Sequence, residues 1–217
     1  MKKFLLLSIV LFSFSALATA DSCTVYGSRA QQNPNDIIDW GQLGGSLTVV
    51  AVPTTVTTFN GISVGVNGGT SPFMRVDQNN GWNGDFDSSE TLLYTGNLSS
   101  GGSGPMRLNF GQRISGIGFQ IQSALFGPFT VTARALDRRG KLLCTEHFTG
   151  TSDHTGNGSA AFVGFGDLSG ANIASVVITT FGRSDNNDFT IGDVSVNSGL
   201  RGAVRQLDPL LGRSYPP

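Results

Sequence analysis

Residues 129–137 read FTVTARALD. Phe129, Val131, Ala133 and Ala135 fall on one side of an extended chain, and Thr130, Thr132 and Arg134 on the other, because successive side chains of a strand point to opposite faces. The segment is therefore predicted as a strand with one buried face. The same period runs upstream, with Met106, Leu108 and Phe110 alternating with Arg107 and Asn109, and Ile117, Phe119 and Ile121 alternating with Gly118 and Gln120. Further strands are predicted over 47–52, 62–66, 73–76, 91–95, 142–148, 160–165, 173–180 and 189–196. In the last of these the apolar phase slips by one residue at Gly192-Asp193, the signature of a β-bulge. Turn clusters separate the runs at 67–69, 100–104, 137–140, 156–158 and 185–188. No long stretch has a period of 3.6. About ten short antiparallel strands with turns at this spacing predict an all-β fold, a two-sheet β-sandwich or jelly roll.

The 217 residues make one domain's worth of chain, and 39% hydrophobic residues with 15 Phe supply a sizeable core despite 30 Gly. Residues 2–20, KKFLLLSIVLFSFSALATA, combine two lysines, an apolar run and a small-x-small end. That pattern predicts a secretory leader over 1–20 and an exported mature chain, secreted, periplasmic or at a bacterial cell surface. The β-domain is placed at 21–196 and a flexible tail at 197–217. Without Lys2 and Lys3 the mature chain carries 12 basic against 15 acidic residues, a net charge of -3. This balance argues against a nucleic-acid partner, which requires a surplus of cations on one face. No later apolar stretch approaches 18 residues, so no membrane span is expected in the mature chain. The acids are 13 Asp to 2 Glu, and Lys141 is the one lysine left, a skew that suits turns and hard-cation sites over helices.

Both cysteines, Cys23 and Cys144, lie in the mature chain, where an oxidising compartment makes one disulfide the natural pairing. The alternative is that Cys144 is a small buried residue of an apolar strand.

Several segments together resemble a family of exported bacterial β-sandwich domains often followed by a PEP-CTERM sorting tail. They are DIIDWGQLG (36–44), GWNGDFDSSETLLYTG (81–96), GPMRLNFGQRISGIGFQIQSALFGPFTVTARALD (104–137), GSAAFVGFG (158–166) and DFTIGDVSV (188–196). The resemblance implies the sandwich fold and a surface or exopolysaccharide-associated setting, and it implies no activity. The terminal Pro-Glu-Pro, apolar span and basic end of the commonest layout do not occur in this sequence.

Catalytic patterns are weak. Gly61-Ile62-Ser63-Val64-Gly65 fits G-x-S-x-G, but its flanks offer strands and no following helix, so Ser63 is expected to face solvent. His147 and His154 are the only histidines, which excludes three-histidine metal sites; His147 is expected half-buried in a strand and His154 in a solvated loop. Residues 79–90, NNGWNGDFDSSE, follow part of a twelve-residue calcium-loop frame, with Gly84 sixth and Glu90 last. Asp77, Asn79, Asp85, Asp87 and Glu90 are the candidate Ca²⁺ ligands there, against an acidic loop closed by Trp82 packing. A second acidic cluster, Asp185 to Asp188 with Asp193, reads more plainly as turn chemistry, with Asp188 as its candidate ligand. First and last strands of a jelly roll lie side by side, which would bring Asp36 or Asp39 to that cluster. Trp82, Tyr94 and Trp40 stand near polar or Gly-rich turns, where an exposed ring stacks on a sugar face. The expected function is a non-catalytic secreted domain that binds polysaccharide or another matrix component. Its competitor is a structural or protein-contact domain of the envelope or biofilm, and a secreted hydrolase ranks last.

Overall fold

The computed structural model describes residues 23–69, 72–97, 99–182 and 187–199. The leader and most of the predicted tail lie outside them. The described chain runs β1 (Cys23–Val25), α1 (Arg29–Gln32), β2 (Asp36–Ile38), a 3-10 turn (Trp40–Leu43), β3 (Thr48–Val50), β4 (Thr54–Thr57) and β5 (Ser63–Asn67). It continues through β6 (Phe73–Gln78), β7 (Gly81–Trp82), β8 (Thr91–Tyr94), β9 (Met106–Ser123), β10 (Gly127–Leu136) and β11 (Leu142–Ser152). β12 (Ala161–Asp167), β13 (Ile173–Phe181), β14 (Phe189–Ile191) and β15 (Val194–Ser198) complete it. The all-β class is as expected, and the described residues form fifteen strands where about ten were predicted. The excess comes from short segments without apolar alternation, such as β1, β2, β4 and β7.

β9 organises the fold. The two runs read separately at 106–110 and 117–121 are halves of one 18-residue strand, joined through exposed Gly111, Gln112 and Arg113. Its first half pairs with β5 on one side and β13 on the other, giving the order β4-β5-β9-β13-β10-β11. Its second half pairs with β12 on one side and with β15 and then β14 on the other. β14 continues through β8 and β6 to β3, while β15 carries β2. A strand that serves two sheets in succession is how sandwich corners are made. One buried cluster draws on both halves: Leu108, Val131, Ala133, Val176 and Ile178 from the first, and Ile117, Phe119, Ile121, Phe165 and Val196 from the second. Phe129, Val131, Ala133 and Ala135 are all buried, as the alternation required.

Cys23 and Cys144 form a disulfide, with Cα atoms 6.0 Å apart across 121 residues of sequence. It ties β1 to β11, each an edge strand. Closing a loop of that length stabilises the fold by about 4–5 kcal/mol in the chain-entropy account. A smaller second core holds Met74, Val76, Phe86, Leu92 and Ala160, covered by Trp82 and Tyr94.

The phase slip at Gly192-Asp193 has the geometry of a bulge. Ile191 faces Ile121 and Ser195 faces Gly118, so four steps along the last strands oppose three along β9. β15 also reaches beyond the expected domain end, into the segment read as tail. Asn197 and Ser198 pair with Gly116 and Ile114, and the Ser198 N–H donates to Asn35 Oδ1 at 2.8 Å.

Candidate functional site

Among the expected site residues, Trp40 is fully buried, so it cannot serve as a sugar platform. Its indole N–H donates to the Gly192 carbonyl at 2.8 Å, a partner the bulge makes available. Trp82 and Tyr94 are half-buried with ring centroids 5.2 Å apart, and they roof the small core. The Trp82 N–H points inward to Gln122 Oε1 at 3.4 Å.

The oxygen-rich loop does not gather its carboxylates. Asp77 pairs with Arg75 at 2.6 Å. Asp85 is buried at 0% exposure, and its carboxylate accepts N–H groups from Gln122 (2.9 Å), Asp153 (3.0 Å) and Thr155 (2.7 Å). An expected metal ligand is thus a hydrogen-bond hub that fastens the 79–90 loop to β9 and to the 153–155 segment after β11, since a buried carboxylate persists where donors surround it. Asn79 and Asp87 are exposed, and Glu90 turns to the opposite side, toward the bulge. Asp188 is buried under Gly101 and Gly102, where a Cβ on Gly102 would collide with it. No group of three or more His, Cys, Asp or Glu that could hold a metal ion occurs among the described residues. Ser63 is exposed on β5. His147 is exposed where a half-buried ring was expected, its Nδ1 3.1 Å from the Thr132 hydroxyl. His154 stacks under Phe126 at 3.9 Å.

What the fold does assemble lies where β2 runs beside β15. Asp39 caps the 3-10 turn, its Oδ1 accepting the Gly41 N–H at 2.7 Å. The Thr91 hydroxyl lies 2.9 Å from that same oxygen and 2.9 Å from Asp193 Oδ1. The bulge carbonyls are fixed from below, Gly192 by Trp40 and Asp193 by Arg29 Nη2 at 2.9 Å, which turns the Asp193 side chain toward Thr91. Gln42 closes the neighbouring edge: its amide donates to the Asp39 and Thr57 carbonyls (2.7 and 3.0 Å) and accepts the Thr57 N–H (2.7 Å). Beyond it stands Phe59, 87% exposed. Its turn is held rigid by its own N–H on the Ile37 carbonyl (2.8 Å), by the Asn60 N–H on Asp36 Oδ1 (2.9 Å) and by Gly61 at φ +86°. Between Phe59 and the two aspartates lies a cleft of about 470 Å³, within the range of small-ligand sites.

The charges of this cleft are unusual. Burial pushes the Asp193 carboxyl above the ordinary Asp range, and the nearby Asp39 charge adds to it. Burial likewise raises Glu90, with the Asp193 charge adding, while Arg29 offsets part of both shifts. Thr91 has one proton for two carboxylate oxygens. The Thr91 hydroxyl is thus shared between the two acceptors.

Asp39 Oδ1 and Asp193 Oδ1 are no more than 5.8 Å apart, twice the 2.9 Å each spans to Thr91. Carboxyl pairs about 5 Å apart serve retaining glycoside hydrolysis when the scissile bond sits between them. Here the Thr91 hydroxyl lies against both carboxylates and takes up part of the hydrogen-bonding capacity of each.

A larger groove of about 720 Å³, bordered by Pro128, Thr130, Thr149, Thr151 and Phe181, holds no titratable side chain. It extends to Gly182, where the described chain stops before Asn187, and no role is assigned to it.

No known protein-family profile matches the chain, and no curated protein matches it. Among solved structures it is similar to a DUF4465 family protein from Bacteroides caccae ATCC 43185, at 13% identity and a TM-score of 0.42, over 87% of this chain and 99% of that one. A likeness of that degree carries no argument about the site. No helix of the described residues is long and apolar enough to cross a membrane, and the disulfide fits an exported protein.

The sequence reading missed Phe59, Gln42 and Thr91. Asn60-Gly61 is a turn signal that could have marked Phe59 as the shoulder of a tight turn, where a ring has no core to enter.

Proposed function

We propose that the protein is a non-catalytic exported domain that binds a polysaccharide or another sugar-bearing matrix component, and that the Phe59 cleft is its sugar subsite. The observation that carries this reading is a nearly bare phenyl ring on a rigid turn, facing two carboxylates across a cleft of sugar dimensions. A ring in that position stacks on the C–H face of a pyranose, while carboxylates and a side-chain amide accept and donate to its hydroxyls. Leaving a phenyl ring in water forgoes about 2 kcal/mol of burial free energy, which a ligand face recovers. The resemblance to exported, exopolysaccharide-associated sandwich domains is in keeping with such a ligand.

The test is a screen of soluble neutral oligosaccharides (glucans, mannans, galactans) against residues 21–217, followed by titration of the best binder. Phe59→Ala and Asp39→Asn are each expected to weaken it at least about tenfold, equivalent to about 1.4 kcal/mol. An unchanged affinity in Phe59→Ala, or no oligosaccharide bound by the wild type, would favour the structural or protein-contact reading.

A further inference from the structure

A second concave site of opposite sign occurs at the β10–β11 turn. Arg138, Arg139 and Lys141 follow one another there, and Arg113 reaches the same place from the exposed middle of β9. With Asn172 and Leu143 they border a cleft of about 300 Å³. Four of the 12 basic residues expected in the mature chain therefore converge on one point.

Among the described residues none of these cations has an acidic partner within ion-pair distance. Asp137, the one acid at the cleft, has its Oδ1 committed to the turn, accepting the Arg139 N–H at 2.8 Å and the Lys141 N–H at 2.9 Å. Arg138 Nη2 donates to the Gly111 carbonyl at 3.2 Å, which holds the turn against β9 and keeps that guanidinium beside Arg113. Among the described residues the single ion pair is Arg75–Asp77, elsewhere in the fold. Gathering like charges in a concavity is unfavourable until an anion enters, and Arg guanidinium groups match the planar fork of carboxylate and sulfate oxygens.

We propose that this cleft is an oxyanion subsite for the acidic groups, carboxylate or sulfate, of an anionic polysaccharide, separate from the Phe59 cleft. Its size favours a polysaccharide over nucleic acid. A duplex needs an extended basic track contacting many phosphates, whereas this cleft accommodates a group the size of one sugar, and the expected mature chain is net acidic.

The experiment titrates residues 21–217 with a galacturonate hexamer, a sulfated galactan hexamer and a neutral galactan hexamer, with a 12-mer DNA duplex as comparison. The expected result is that one or both anionic oligosaccharides bind, with affinity falling about tenfold between about 50 and 200 mM salt, and that the neutral one is indifferent to salt. The triple variant Arg113→Gln/Arg138→Gln/Arg139→Gln should lose at least tenfold for the anionic oligosaccharide. Lys141→Gln, which leaves the Arg138 contact intact, should lose about two- to threefold, and Phe59→Ala should retain this binding even if its own sugar affinity is lost. Whichever of the uronate and the sulfate binds more tightly identifies the group. Equal affinity of wild type and triple variant, at unchanged thermal midpoint, overturns the proposal, as does absence of binding to both anions. Tighter, variant-sensitive binding of the DNA overturns it in favour of nucleic acid.

Discussion

The Phe59 cleft and the β10–β11 turn cleft are built in opposite ways. The first is assembled from distant sequence: Asp39 and Asp193 meet only because β2 pairs with β15, and their orientation depends on Trp40 and Arg29 gripping a bulge more than 150 residues away. The second comes mainly from five consecutive residues, with Arg113 added by β9. Asp193 is half-buried on a bulge that Trp40 and Arg29 hold through its carbonyls, whereas the four cations are exposed in water and rely on a turn for position. The difference teaches that the acidic site is coupled to folding and the basic site is not.

Breaking the buried support should separate the two most strongly. Trp40→Ala removes a fully buried indole and leaves the Gly192 carbonyl unpaired, and it should cost about 3–5 kcal/mol in denaturant unfolding. By contrast, Arg138→Gln/Arg139→Gln should stay within about 0.5 kcal/mol of wild type in the same assay, since both side chains are exposed. Comparable losses in the two variants would contradict the contrast.

The next largest effect concerns pH. Asp193 and Glu90 have raised carboxyl pKa values in the fold, so their contribution to stability is fully present below the unfolded values, about 4, and is lost as pH rises through the folded values. Asp193→Asn removes that loss. It should raise the thermal midpoint at pH 7 by a few degrees relative to wild type, with the gap closing toward pH 4. A gap of the same size at both pH values would show that the carboxyl is not perturbed. Variants of the basic turn should leave the pH profile of stability unchanged.

The smallest effect is expected from calcium. With Asp77 held by Arg75 and Asp85 surrounded by N–H donors, adding calcium to EDTA-treated protein should shift the midpoint by no more than about 1 °C. A saturable rise of several degrees would place a cation on this loop after all.

Much of this was legible in the sequence where local pattern dictates structure. The alternation in 129–137 gave β10 and its buried face, the phase slip at Gly192-Asp193 gave the bulge, and the jelly-roll habit of pairing first and last strands anticipated Asp39 beside the 193 region. What failed did so for physical reasons. Gly111-Gln112-Arg113 interrupts apolar alternation, so β9 read as two strands although the extended chain continues through them, with the register against β13 shifting between Asn109 and Ile114. The loop carboxylates read as metal ligands because sequence does not say which way a side chain turns; Asp85 turns onto Gln122 and Glu90 the other way, against the bulge. Trp40, a candidate sugar platform, enters the core, and Phe59, for which no role was expected, is left in solvent, because the strand pairing of β2 decides both.

The central claim is that Phe59 forms a sugar-stacking wall, and the most direct measurement is isothermal titration of the best neutral oligosaccharide into wild type and Phe59→Ala at matched thermal midpoints. The account predicts an affinity lower by tenfold or more in the variant, with stability within about 0.5 kcal/mol because the ring is exposed. Identical binding by the two proteins would contradict it.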